Sequence, residues 1–213
     1  PPTERPPTER PPAERPPADG AGDRAAKDVA AASREYRRGR FEDAARLYER
    51  AAERGADEKT TREAQSQART VRELQRALRD GQAAADGRRV VEAIRTLEKA
   101  RGLDRRLGGA FAGTIDKALV EPYYLEAARA FYEKRLPDAA KRARQVLRVQ
   151  PDHSLARKLD GRIEGAAREL LDQARTLRDQ DPRRARRLVD DVIKVAASGS
   201  SLRRDAESLR RDL

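Results

Sequence analysis

The sequence predicts an all-α fold: a solenoid of antiparallel helix pairs, each short helix followed by a long one, behind a disordered Pro-rich segment. Three observations predict it. Of 213 residues, 40% are charged, 37% hydrophobic and 4% aromatic. That is too polar for a thick globular core, but it suits exposed helices with thin, Ala-lined contacts. Second, a small residue inside an apolar helical pattern recurs at Ala44, Ala93, Ala139 and Ala185, a period of about 47. Third, breaks that restart a helix recur in a second register, at Asp57, Asp104, Asp152 and Ser198, which are 47, 48 and 46 residues apart. A side-chain oxygen at such positions accepts from the free amides of a helix's first turn.

Residues 1–17 read PPTER-PPTER-PPAER-PP. Paired prolines fix φ and remove backbone donors, so the run favours extended polyproline II and suits a spacer. Asp19-Gly20-Ala21-Gly22 is expected to loosen the chain, which makes 1–23 a disordered linker and 24–213 the repeat domain. A linker implies a further domain or anchor ahead of it. A first helix is expected near 24–38. Short helices follow near 41–54, 88–101, 136–149 and 182–196, and long ones near 57–86, 104–134 and 152–180. A capping helix near 199–212 closes the array, with Leu202, Ala206, Leu209 and Leu213 on its apolar stripe.

The long helix 104–134 extends a stripe of Leu103, Leu107, Phe111, Ile115, Leu119, Tyr123, Ala127 and Phe131 at every fourth residue. Each step of four overshoots the helical repeat by ~40°, so the stripe turns around the helix and needs two neighbours to cover it. Pro122 lies within it and removes one i→i−4 hydrogen bond. The short helices have a narrower face, such as Ala185, Leu188, Val189, Val192 and Ile193, and their small residues allow close helix approach.

These patterns resemble the tetratricopeptide repeat (TPR). Residues 25–58 fit its 34-residue frame with Ala32, Gly39, Phe41, Ala44, Tyr48 and Ala51 at the small, turn and aromatic positions. Residues 120–153 fit with Tyr123, Ala127, Leu136, Ala139, Val146 and Pro151, and 166–199 fit more loosely. The 47-residue period departs from the family's, and HEAT-like packing shares such a period; the Gly-aromatic-x-x-Ala pattern favours TPR. The resemblance implies a non-catalytic scaffold for protein–protein interaction. Its concave groove would hold a peptide or helix of a partner, which could be acidic, and Tyr36, Arg37, Tyr124 and Arg129 would be groove residues. The clamp by which some TPRs hold a C-terminal carboxylate uses Asn, and this chain has none.

Chemistry finds little to work with. There is no Cys and one His, so thiol catalysis and Cys-based metal sites are excluded and His153 has no obvious co-ligand. His153 is expected to be a solvated first-turn residue. Gly108-Gly109-Ala110-Phe111-Ala112-Gly113 lacks the Lys-Ser/Thr and the preceding strand of a phosphate loop. Glu42-Asp43 and Asp190-Asp191 stand near arginines and read as surface ion pairs. No enzyme, cofactor or metal is therefore expected. No apolar run is long enough to cross a membrane, and a cytoplasmic location is the expectation. The net charge is +11, with −1 over 1–24, +5 over 25–103 and +7 over 104–213. Basic clusters at Lys141, Arg142, Arg144 and Arg148 and at Arg183–Arg187 contain no aromatic for base stacking, so they read as solvated outer faces and nucleic acid is not the expected partner. A nucleic-acid binder and a self-assembling subunit remain the alternatives.

Overall fold

A computed structural model describes residues 19–213 apart from residue 56. Residues 1–18, most of the expected linker, lie outside the described part. Among the described residues there are nine α-helices and no strand. They are α1 (Asp19–Arg37), α2 (Phe41–Glu53), α3 (Glu58–Asp86), α4 (Val90–Arg106), α5 (Ala112–Tyr132), α6 (Leu136–Val149), α7 (Ser154–Leu177), α8 (Pro182–Val195) and α9 (Ser201–Arg211). The described residues form two compact units, divided between Arg69 and Thr70.

The first unit is built on the α1–α2 hairpin, with Ala32, Tyr36, Ala44, Tyr48 and Ala51 buried. The hydroxyls of Ser33 and Tyr48 share a hydrogen bond of 3.0 Å. Asp28, almost fully buried on α1, pairs with Arg50 of α2 and with its C-cap Arg54 at 3.0 and 2.8 Å. In the second unit, α4 packs on α5, α5 on α6, α6 on α7, α7 on α8 and α8 on α9. The core from α5 onwards is thin and Ala-rich, as expected: Ala127, Ala139, Ala143, Ala167, Ala185 and Ala206 sit among Leu159, Ile163, Leu171, Val189 and Val192. Helices α3 and α4 approach closely at Gly81, where a Cβ would stand 2.8 Å from the Leu97 side chain. The recurring Ala44, Ala93, Ala139 and Ala185 are all fully buried.

One turn geometry repeats. Gly39, Arg88 and Lys134 have φ of 78°, 55° and 60°. The next residue in each case, Arg40, Arg89 or Arg135, donates its N–H to the carbonyl five residues back, on Glu35, Ala84 or Ala130, at 3.0, 2.8 and 2.8 Å. This is the left-handed C-terminal cap that closes a helix by satisfying its last carbonyls. It leads into α2, α4 and α6, whose N-cap arginines make no side-chain cap hydrogen bond. The turn into α8 is different: the Asp181 side chain caps the Arg184 N–H at 3.0 Å.

Several expected boundaries move. Helix α1 begins at Asp19, so 19–23 is helical and not a loosened linker. The break expected at Gly102-Leu103-Asp104 is absent: α4 continues to Arg106, and the chain breaks at Leu107–Phe111. The cause is the pair Gly108 and Gly109, at φ of +100° and +74°, which glycine adopts without a Cβ penalty. Gly102 stays helical with open space around it. The long apolar stripe is thereby divided between α4, the turn and α5. Asp104 does not start a helix. It is 1% exposed near the end of α4, and its Oδ1 accepts from the Phe111 N–H at 3.0 Å, capping the next helix across the turn. Asp57 does cap α3, accepting from the Thr60 N–H at 2.8 Å. The caps of α7 and α9 are His153 and Ser200 in place of Asp152 and Ser198. Pro122 lies buried inside α5.

Candidate interaction surface

Most large apolar side chains in the described residues are covered. The exposed ones are Val91 (61%), Leu125 (37%), Tyr132 (72%) and Leu155 (50%). All four lie in the second unit, at two places, with Leu125 and Tyr132 on α5, Val91 on α4 and Leu155 on α7.

The first place joins α5 to α7. The Tyr124 ring stands 5.3 Å from that of His153, and the Arg162 guanidinium lies 4.8 Å from the Phe131 ring centre and 5.8 Å from that of Tyr132. The pairs 124–153 and 131–162 advance in the same direction, so α5 and α7 run side by side with the same polarity. Leu155 and Arg162, seven residues apart, share one face of α7. The result is a surface of aromatic and aliphatic side chains crossed by a cation. Arg162 and Lys158 make no ion pair among the described residues. The carboxylates on this part of α5 are already engaged: Glu133 by Arg129 and Arg135 at 2.8 and 2.7 Å, and Glu126 by Arg135 at 3.4 Å. His153 is half-buried, and its Nδ1 accepts from the Ala156 N–H at 3.1 Å. It is a helix cap and ring partner, which corrects the expectation of a solvated residue.

The second place is a shallow groove of 360 Å³ between the start of α4 and α5, lined by Arg88, Arg89, Val91, Glu92, Leu125 and Arg129. Arg89 pairs with Glu92 at 2.8 Å, and Val91 and Leu125 are exposed apolar side chains among this charged lining.

The four residues expected in a groove fall differently. Tyr36 is 2% exposed and its ring packs 6.2 Å from that of Phe41; packing of the α1–α2 hairpin accounts for this aromatic. Arg37 is exposed in the last turn of α1. Tyr124 lies in the α5–α7 surface, while Arg129 lines the other groove. Five residues apart, they sit ~140° from each other around the helix, so they do not meet. Sequence reasoning passed over Tyr132, Leu155 and Arg162, because exposure depends on which neighbour reaches each helix face.

A polar network braces the back of α5. Tyr123 Oη donates to Glu98 Oε1 at 2.8 Å, Arg142 donates to the same oxygen at 2.9 Å, and Arg142 lies 4.8 Å from the Tyr123 ring centre. Arg101 pairs with Asp116 at 3.3 Å. Burial raises the Tyr123 hydroxyl to about 12, helped by the bond to Glu98. Burial also works to raise Glu98, but donation from Arg142 and Tyr123 outweighs it and holds the carboxyl below its usual range. Asp160 moves the other way: burial raises it, and the nearby charge of Arg144 only partly opposes this. Of the paired acids, Asp43 pairs with Arg46 at 2.8 Å, Asp190 with Arg210 at 3.2 Å and Asp191 with Lys194 at 3.0 Å, while Glu42 makes no ion pair among the described residues.

Among the described residues no helix is long and apolar enough to cross a membrane, and no three His, Cys, Asp or Glu side chains are grouped to hold a metal. No family model and no curated protein matches the chain. Among solved structures, the TPR domain of P58(IPK) is similar with a TM-score of 0.38 and 18% identity over 88% of this chain. The chain spans 58% of that structure's length. The sequential helix order and the turn repeated at residues 39, 88 and 134 fit a TPR-like helical repeat protein.

Proposed function

We propose that this chain is a non-catalytic protein-interaction scaffold, part of a larger multidomain or multiprotein assembly, that holds a peptide or helix of another protein on the α5–α7 face. The observation that carries this is the exposure of Tyr132 and Leu155 beside a stacked Arg162. Large aromatic and aliphatic side chains left in water beside arginine have the composition of binding hot spots. Tyr124 belongs to this contact. Arg129, with Val91 and Leu125, is the edge where a longer partner would continue, and Arg37 is a contact available to the first unit. Residues 1–23 would serve, in their Pro-rich part, as a spacer to a neighbouring domain.

The test is selection of binding peptides from a displayed random library on the full chain, followed by titration of the enriched peptides. Replacing Tyr132 and Leu155 together by Ala should weaken them by at least ~10-fold, since hot-spot truncations cost ~2 kcal/mol or more. Helicity should be unchanged, because both side chains face solvent. Enriched peptides that bind the double variant as tightly as the natural chain would remove the assignment.

A further inference from the structure

Among the described residues, a cluster of uncommitted positive charge lies at the start of α8. Arg183, Arg184, Arg186 and Arg187 are all exposed, and none makes a hydrogen bond or ion pair through its side chain among the described residues. Around the helix the four fall within an arc of ~160° and rise ~6 Å along the axis. One ligand can therefore meet all of them.

The other repeats provide an internal comparison. The residue just before the recurring small Ala is Asp43 in α2, Glu92 in α4 and Asp138 in α6. Each pairs with a nearby arginine, at 2.8, 2.8 and 2.7 Å. An acid there is also favourable because a helix's first turn carries partial positive charge. In α8 the same position is Arg184, and the first turn contains no acidic residue. The charge at this position is thus inverted against the repeat pattern, and the acid that answers the helix dipole is instead the cap Asp181. Stability favours an acid at this position, and an added arginine cluster is what an anionic ligand requires.

The surroundings choose the anion. None of the exposed large apolar residues of the described chain lies on α8, so a protein partner would find no apolar anchor there. The apolar face of α8, with Ala185, Val189 and Val192, is buried in the core and cannot insert into a membrane interface. Closely spaced guanidinium groups suit phosphates, and contacts to phosphates carry no sequence information. We infer that the Arg183–Arg187 face binds the phosphate backbone of a nucleic acid without regard to sequence. This second activity is independent of the peptide surface on α5 and α7.

The test uses the full chain and a dye-labelled oligothymidylate of about 20 nucleotides, followed by anisotropy between about 50 and 200 mM salt. One variant replaces Arg183, Arg184, Arg186 and Arg187 by Gln. A matched control replaces Arg76, Arg95, Arg105 and Arg106, four other exposed arginines without ion pairs. The α8 variant should bind at least ~10-fold more weakly, with a log–log salt slope shallower by about 2–3, while the control loses less than ~3-fold. The two should also differ in melting temperature. Removing cations from the start of α8 should raise it, whereas Arg105 and Arg106 lie in the last turn of α4, where cations are favourable. A second variant, Arg184→Asp, restores the acid of the other repeats; it should bind more weakly and melt higher. No binding by the natural chain at about 50 mM salt, or an equal loss in the control, overturns the inference. So does displacement of the oligonucleotide by polyglutamate or by phosphatidylserine vesicles at lower charge concentration.

Discussion

Asp104 provides the sharpest test of how the α4–α5 break is made. The perturbation is Asp104→Ala. The side chain is buried and its Oδ1 accepts from the Phe111 N–H at 3.0 Å. The substitution removes a part-buried hydrogen bond to the N–H of the N-cap residue Phe111, which costs about 1–3 kcal/mol. A loss of ~2 kcal/mol corresponds to a fall of ~4–8 °C in melting temperature for a chain of this size. Asp104→Asn keeps an acceptor oxygen in place and should cost less than half as much. Thermal unfolding followed by circular dichroism measures both. An alanine variant within ~0.5 kcal/mol of the natural chain would refute the capping role. An asparagine variant as damaged as alanine would show that the charge, and not the acceptor, matters.

Other consequences follow from the same geometry. Lys134→Gly and Arg88→Gly should each raise stability by about 0.5–1 kcal/mol, because both residues hold a left-handed φ that glycine adopts freely; Gly39→Ala should lower it by about 1 kcal/mol, and urea midpoints would rank the three. Ala139→Leu should cost ~1–3 kcal/mol by overpacking a fully buried helix contact, read from the same midpoints. The folded pKa of Glu98 lies below its ordinary value of 4.5, so its contribution is present above that value and is lost as pH falls through the folded one. Glu98→Gln should therefore cost stability at pH near 7 and progressively less towards pH 3, in urea titrations across that range. Asp160 has the opposite sign. Its raised folded pKa means that stability falls as pH rises from 3.8 through the folded value, so Asp160→Asn should be neutral or stabilising at neutral pH.

The turns show where a local reading succeeds. Gly39 was recognisable as a turn residue, and its equivalents Arg88 and Lys134 were not, because their side chains give no sign of a left-handed backbone. The hydrogen bonds to carbonyls five residues back hold them there. The caps divide in the same way. Asp57 caps its own helix because the contact spans three residues. Asp104 reaches seven residues ahead to Phe111, which depends on how Gly108 and Gly109 fold the chain back. His153 resembled a solvated residue because nothing local shows that Tyr124, 29 residues earlier, supplies a ring beside it.

The sequence by itself determined the helical class, the period near 47 and the four small residues at the hairpin contacts. Those properties come from apolar spacing and side-chain size, and both act within one helix turn or across one tight pairing. Tertiary structure decided which surface is left open. Leu155 is exposed while Leu159, one turn later on the same helix, is buried, and Tyr123 is enclosed by Glu98 and Arg142 while Tyr132 faces water. Composition cannot separate such neighbours. Burial is a property of two helices at once, and only the packing of α5 against α4, α6 and α7 assigns the covered face and the free one.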